Sequence, residues 1–162
     1  MRFWEIFVSS IKLPTKEAMF KLNRVGMDFA LFYMFILLFI VSTPALFERI
    51  TVTTGIAGEM NLIFKVIYFF IFYYLPMSLI VLGCISLVAY IGTFIAKLMQ
   101  RKLRYAIIWK LISFTTTIPL LVYTVMSLVY SVSNTYLLLA LVYSISLLII
   151  MISLYPKRRV RS

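Results

Sequence analysis

The sequence predicts an all-α integral membrane protein, a four-helix bundle preceded by an N-terminal interfacial amphipathic helix. Three observations carry this. Hydrophobic residues make up 64% of the 162 residues and charged residues 13%, against about 45–50% and about 25% in a soluble domain. A core built from so short a chain cannot enclose that much apolar surface, so part of it must face lipid. Four stretches are apolar over the roughly 20 residues needed to cross about 30 Å of hydrocarbon. Finally, 14 of the 16 basic residues fall on segments that four crossings place on one side. A soluble enzyme, a secreted module and a disordered chain are excluded.

Residues 1–27 form a leader. Within RFWEIFVSSIKL (2–13), helical spacing puts Phe3, Phe7, Ser10 and Ile11 on one face, with Trp4 and Val8 beside it. The stretch is too short to span and reads as an interfacial helix under the inner leaflet, with Arg2 and Lys12 near headgroups. A re-entrant leader packed on the bundle, and a docking surface for a partner or a curved membrane, are the alternatives. Pro14 breaks this helix, and Thr15 is placed to cap a second one, KEAMFKLN. The basic leader is followed by an apolar run of full spanning length without an A-x-A site, so no cleavable signal peptide is expected.

The membrane domain, residues 28–155, is predicted to cross at about 28–47, 66–96, 107–130 and 136–155. The second crossing is longer than a perpendicular passage needs, and Pro76, Gly83 and Gly92 interrupt it. Tilt, a kink at Pro76 or a projecting turn would absorb the excess. The third carries Pro119 near its middle, and the fourth stops at Pro156 and the basic tail, 156–162. Tyr105, Trp109 and Tyr155 sit at the inner interface, Tyr130 and Tyr136 at the outer. The aromatic run 64–74 (FKVIYFFIFYY) matches a thickened aromatic belt at the outer end of the second helix.

The net charge of +11 would suggest nucleic acid in a soluble protein. Here Arg2, Lys12, Lys16, Lys21, Arg24, Lys97, Arg101, Lys102, Arg104, Lys110 and the tail Lys157, Arg158, Arg159 and Arg161 share one side. On the other side Glu48, Arg49, Glu59 and Lys65 cancel. The positive-inside rule makes the basic side cytoplasmic, so both termini are expected on the cytoplasmic side of a plasma membrane. The charge is then an orientation signal plus attraction to anionic headgroups, about 1 kcal/mol per basic residue. Lys97, Arg101, Lys102, Arg104, Lys157, Arg158, Arg159 and Arg161 are the expected anionic-lipid contacts, and no nucleic acid is expected.

Chemistry has little to draw on. There is no histidine and one cysteine, which removes most metal, proton-relay and disulfide chemistry, so no cofactor and no enzyme are expected. Cys84 reads as a small packing residue. Asp28, the one acid near hydrocarbon, follows Arg24 by four residues and reads as an ion pair on one helical face. Uncharged polar residues are more informative. In the third helix Ser113, Thr116, Thr117, Tyr123, Thr124 and Ser127 recur at steps of three and four, close to Pro119. In the second, Ser86, Ala89, Thr93 and Ala96 form a small-residue ridge beside Gly92. Such ridges let helices approach closely in lipid. Both groups read as helix packing, with a hydroxyl-lined solute path as the alternative. The outer loop 48–65 shows no catalytic pattern.

Phe3-Trp4, Phe7, Ser9-Ser10 and Pro14, followed by a spanning helix ending near Pro44, resemble a group of polytopic membrane proteins of Gram-positive bacteria. That group, a domain-of-unknown-function family, lies near the Yip-type integral membrane proteins. Arg104-Tyr105, Trp109-Lys110 and Ile118-Pro119 resemble its second landmark, a Tyr and Trp before an apolar helix with a central proline. The likeness covers the N-terminal third and the third helix. It implies a helical bundle, often encoded beside transport systems, and supplies no catalytic residues. Many members carry a sizeable outer domain after the first helix, where this chain has a short loop. The expected function is an accessory or scaffold subunit without chemistry of its own, contacting another membrane protein or a second copy. The alternative is a small-solute or lipid-handling transporter acting as an oligomer.

Overall fold

The computed structural model describes residues 3–53, 59–101, 103–130 and 134–156. Every regular element among them is helical. The leader holds α1 (Phe3–Ile11) and α2 (Lys16–Asn23), the latter being the KEAMFKLN stretch. Thr15 precedes α2 in an extended conformation, but its side chain makes no capping bond.

The first long helix, α3 (Met27–Thr51), continues one turn past the expected end at residue 47. Pro44 lies inside it and has no N–H for the Ile40 carbonyl. The Thr43 hydroxyl donates to that carbonyl at 2.6 Å, which lets the helix run through the proline. The second long helix is continuous from Leu62 to Leu98, 37 residues where the sequence suggests 31. It comprises α4 (Leu62–Phe69), one π-helical turn (Phe70–Tyr74) and α5 (Leu75–Leu98). The π turn ends two residues before Pro76. Opening the ladder by one residue accommodates the ring and the missing donor. Aromatic contacts line this region, with Tyr68 stacked on Phe72 at 4.7 Å and Phe69 on Tyr73 at 5.2 Å.

The third long helix divides at Thr116 into α6 (Tyr105–Thr115) and α7 (Thr117–Val129), three residues before Pro119. The last is α8 (Asn134–Leu154). Three helices, Met27–Thr51, Leu62–Leu98 and Tyr105–Val129, are long and apolar enough to cross a membrane. The apolar part of α8, Leu138–Leu154, is shorter.

The centre of the molecule is α6. Residues Ile108 to Thr115 are all buried, because α2, α3, α5 and α8 pack around the helix. Leader helix α1 packs against α6 and α7, with Ile6, Ser9 and Ser10 turned inward.

Two readings of the sequence are corrected here. Arg24 and Asp28 share no helical face, because the chain leaves α2 at Arg24 and α3 begins only after Gly26. Both side chains are exposed, and no ion pair joins them. Cys84 faces outward on α5 and does not pack in the core.

Candidate functional site

The polar and small residues that the sequence singles out converge around α6. On α5, Ala89, Gly92 and Ala96 are buried, and Ser86 and Thr93 half-buried. Gly92 stands so close to its neighbours that a Cβ there would lie 2.9 Å from Ile108 Cγ2 of α6 and 2.9 Å from Leu148 Cδ2 of α8. The absent side chain lets three helices meet at this point. One turn and a half earlier, the Ser86 hydroxyl accepts from Trp109 Nε1 at 3.1 Å and donates to the Leu82 carbonyl at 2.8 Å. The indole N–H thus reaches a partner inside an apolar interface, where an unpaired donor would cost about 1–3 kcal/mol. Thr93 donates to the Ala89 carbonyl.

The hydroxyl stripe of α6 and α7 turns largely back on its own backbone. Ser113 donates to the Trp109 carbonyl, Thr116 to Ser113, Thr124 to Leu120 and Ser127 to Thr124. Thr117 instead reaches across to α3, its Oγ1 2.9 Å from Tyr33 Oη. Tyr33 is fully buried, its ring against Phe3 of α1 at 5.3 Å and Phe114 of α6 at 5.4 Å. This node ties α1, α3, α6 and α7 together. The Pro119 carbonyl accepts from Tyr136 Oη of α8 at 2.5 Å, and the Tyr123 ring lies 5.9 Å from that of Tyr136. Between α7 and α8, Pro119 and Tyr136 line a shallow apolar groove of about 210 Å³ together with Ile118, Val122, Leu139, Ala140 and Tyr143.

Cations take a place that the sequence does not reveal. Lys110, 8% exposed, donates from Nζ to the Asn23 and Val25 carbonyls, each at 2.7 Å. It closes the C-terminal end of α2 and holds the turn into α3 against α6. Lys65 does the same at the far end of α3, donating to the Val52 carbonyl at 2.7 Å and the Ile50 carbonyl at 3.4 Å. The Arg101 guanidinium donates to the Tyr155 carbonyl, just past α8. Each cation meets the negative end of a helix dipole and supplies donors to carbonyls that the helix leaves unpaired. Of the residues expected to meet anionic lipid, Arg101 is therefore half-buried against protein, whereas Lys97 and Arg104 are exposed. Lys102, Lys157, Arg158, Arg159 and Arg161 lie outside the described residues.

Sequence reasoning passed over Tyr33 and Ser10 as core groups and Lys65 and Lys110 as helix caps. The available signal was a lysine beside an apolar run, which marks an intramembrane partner to be found. Among the described residues no three His, Cys, Asp or Glu side chains gather as a metal site. No protein-family profile, no curated protein and no solved structure matches the chain.

Proposed function

We propose that this chain is a four-crossing protein of the plasma membrane with both termini cytoplasmic. It acts as an accessory or scaffold subunit of a larger membrane assembly, or through self-association, without chemistry of its own. α8, with an apolar stretch close to spanning length, makes the fourth crossing, and the charge asymmetry of the sequence orients the whole. The likeness of the N-terminal string to the family of Gram-positive bacteria near the Yip-type proteins belongs to this proposal.

One observation carries the reading. The polar groups are taken up within the protein: most stripe hydroxyls bond back to carbonyls of their own helix, Thr117 ties α7 to Tyr33 of α3, and Lys65, Lys110 and Arg101 close helix ends. The transporter reading draws on the groove between α7 and α8, whose apolar lining suits a lipid tail better than a hydrated solute.

Cross-linking in the native membrane followed by isolation in mild detergent tests the scaffold reading. It predicts one defined neighbour, or a second copy, in stoichiometric yield. Repeated recovery as a lone monomer would refute it. Orientation is checked with Cys84 replaced by serine and single cysteines at Glu59 and Gln100. The two must label from opposite sides.

A further inference from the structure

We infer that α1 is a re-entrant wedge in the cytoplasmic leaflet, with its Trp4 edge among lipid acyl chains instead of along the headgroups. The inference rests on the proposed membrane orientation and adds a lipid-binding element to it.

Depth follows from three links. Lys110 Nζ bonds the Val25 carbonyl, so Lys110 and Val25 stand at one level near the cytoplasmic end of the bundle. Tyr33 lies eight residues further along α3, about 12 Å at the helical rise, and Thr117 lies seven residues beyond Lys110, about 10 Å. Tyr33 Oη and Thr117 Oγ1 are 2.9 Å apart, so the two climbs arrive at the same height. The Phe3 ring is 5.3 Å from that of Tyr33. The N-terminal end of α1 is therefore about 10 Å deeper than the junction of α2 and α3. From there the chain returns through Leu13 and Pro14 to α2, where Lys16, Glu17 and Lys21 are exposed.

Nine residues cannot cross a bilayer. Protein covers one face of α1, where it packs on α6 and α7, while its first turn, Phe3 to Glu5, is exposed. Its inward face is Ile6, Ser9 and Ser10, and the Ser10 hydroxyl is satisfied by the Ile6 carbonyl at 2.8 Å. Its outward edge is apolar as well: Trp4 is 69% exposed, with its ring stacked on Phe7 at 5.6 Å, and Ile11 is exposed. The first turns of α3 expose Phe29 and Phe32 in the same leaflet. Acyl chains are the occupant that suits this aromatic edge. The exposed Glu5 opposes the placement, and its position in the first turn of α1, at the positive end of the dipole, offsets part of that cost.

Trp4 and the buried Trp109 are the only tryptophans. The emission lost in Trp4→Phe, measured by difference, reports Trp4 without disturbing the core. The protein is reconstituted in phosphatidylcholine–phosphatidylglycerol vesicles carrying bromine at mid-chain, and aqueous iodide is added to a parallel set. A tryptophan placed at Leu87, on the exposed face of α5, in the Trp4→Phe background serves as reference. Expected is severalfold stronger quenching of Trp4 by mid-chain bromine than by iodide, close to the Leu87→Trp result. Iodide quenching of Trp4 without bromine quenching, while Leu87→Trp responds to bromine, overturns the inference and leaves the membrane reading intact. If Leu87→Trp is also untouched by bromine, the membrane reading falls and the inference with it.

Discussion

Two glycines of one helix are predicted to respond to alanine in opposite ways. Gly83 and Gly92 both lie within α5, so replacing either recovers the same helix propensity, about 1 kcal/mol. Around Gly83 nothing lies within 4 Å of an added Cβ, and Gly83→Ala is expected to match or exceed the parent. At Gly92 the methyl meets Ile108 Cγ2 and Leu148 Cδ2 at 2.9 Å, well inside the roughly 3.5–4.0 Å optimum for carbon pairs. Neither neighbour can retreat easily. Ile108 is β-branched and held to one helical rotamer, and both side chains are fully buried. Relief must come from moving α5 off α6 and α8, an overpacking cost of about 1–3 kcal/mol. Because the propensity gain cancels between the variants, that cost is their expected difference in stability. Equilibrium unfolding in dodecyl maltoside with rising dodecyl sulfate, followed by circular dichroism, measures it. Agreement of the two variants within about 0.5 kcal/mol, the ordinary scatter of a surface change, would refute the three-helix contact.

The remaining predictions concern polar groups and one strained residue. Gln100 follows α5 at φ 53°, and the Arg101 N–H returns to the Ala96 carbonyl at 2.9 Å. Gln100→Gly should therefore stabilise by about 1 kcal/mol in the same titration, since glycine alone adopts that conformation freely. Ser86→Ala leaves the Trp109 indole N–H without its acceptor and should cost about 1–3 kcal/mol, with a shift in Trp109 emission; unchanged emission would contradict the bond. A double-mutant cycle of Tyr33→Phe and Thr117→Val should give a coupling near 0.6 kcal/mol, the average for hydrogen bonds between membrane helices. Lys110→Met removes both donors to the Asn23 and Val25 carbonyls. Amide exchange across α2 should rise about tenfold while that of α5 stays constant. Equal acceleration in both helices would mean that the lysine supports the whole bundle and not the leader.

Helix positions were largely legible because apolar runs, prolines and charges mark them in the chain itself. α2 matches KEAMFKLN, and α3 runs through Pro44 as expected, with the Thr43 hydroxyl on the freed Ile40 carbonyl, and continues one turn past residue 47. The π turn before Pro76 was legible as an irregularity but not as a form, since tilt, kink and bulge all absorb the same excess. Which helix lies at the centre was not legible. IWKLISFT of α6 is buried on every side, while the equally apolar LIVLGCISL of α5 exposes Leu79, Ile80 and Leu87. In water such a difference would appear as polarity; in lipid the solvent is as apolar as the core, so composition does not report it. The candidate site suffered the same loss. Ser113, Thr116 and Thr124 looked able to serve a path or a contact, and only coordinates show their hydroxyls bonded to their own helix.

The sequence by itself determined that the chain is helical and that it carries helices long and apolar enough to cross a membrane. These follow from backbone hydrogen bonds that must be satisfied within each segment and from apolar length, both local properties. Tertiary structure decided what each polar residue does. Lys65, Lys110 and Arg101 read as charges on one side or the other of a bilayer, yet each closes the end of a helix distant in sequence. An ammonium or guanidinium needs acceptors, and in a chain with five acidic residues the acceptors are carbonyls at helix ends. Which end lies within reach is set by how the helices pack, and no spacing along the chain encodes that.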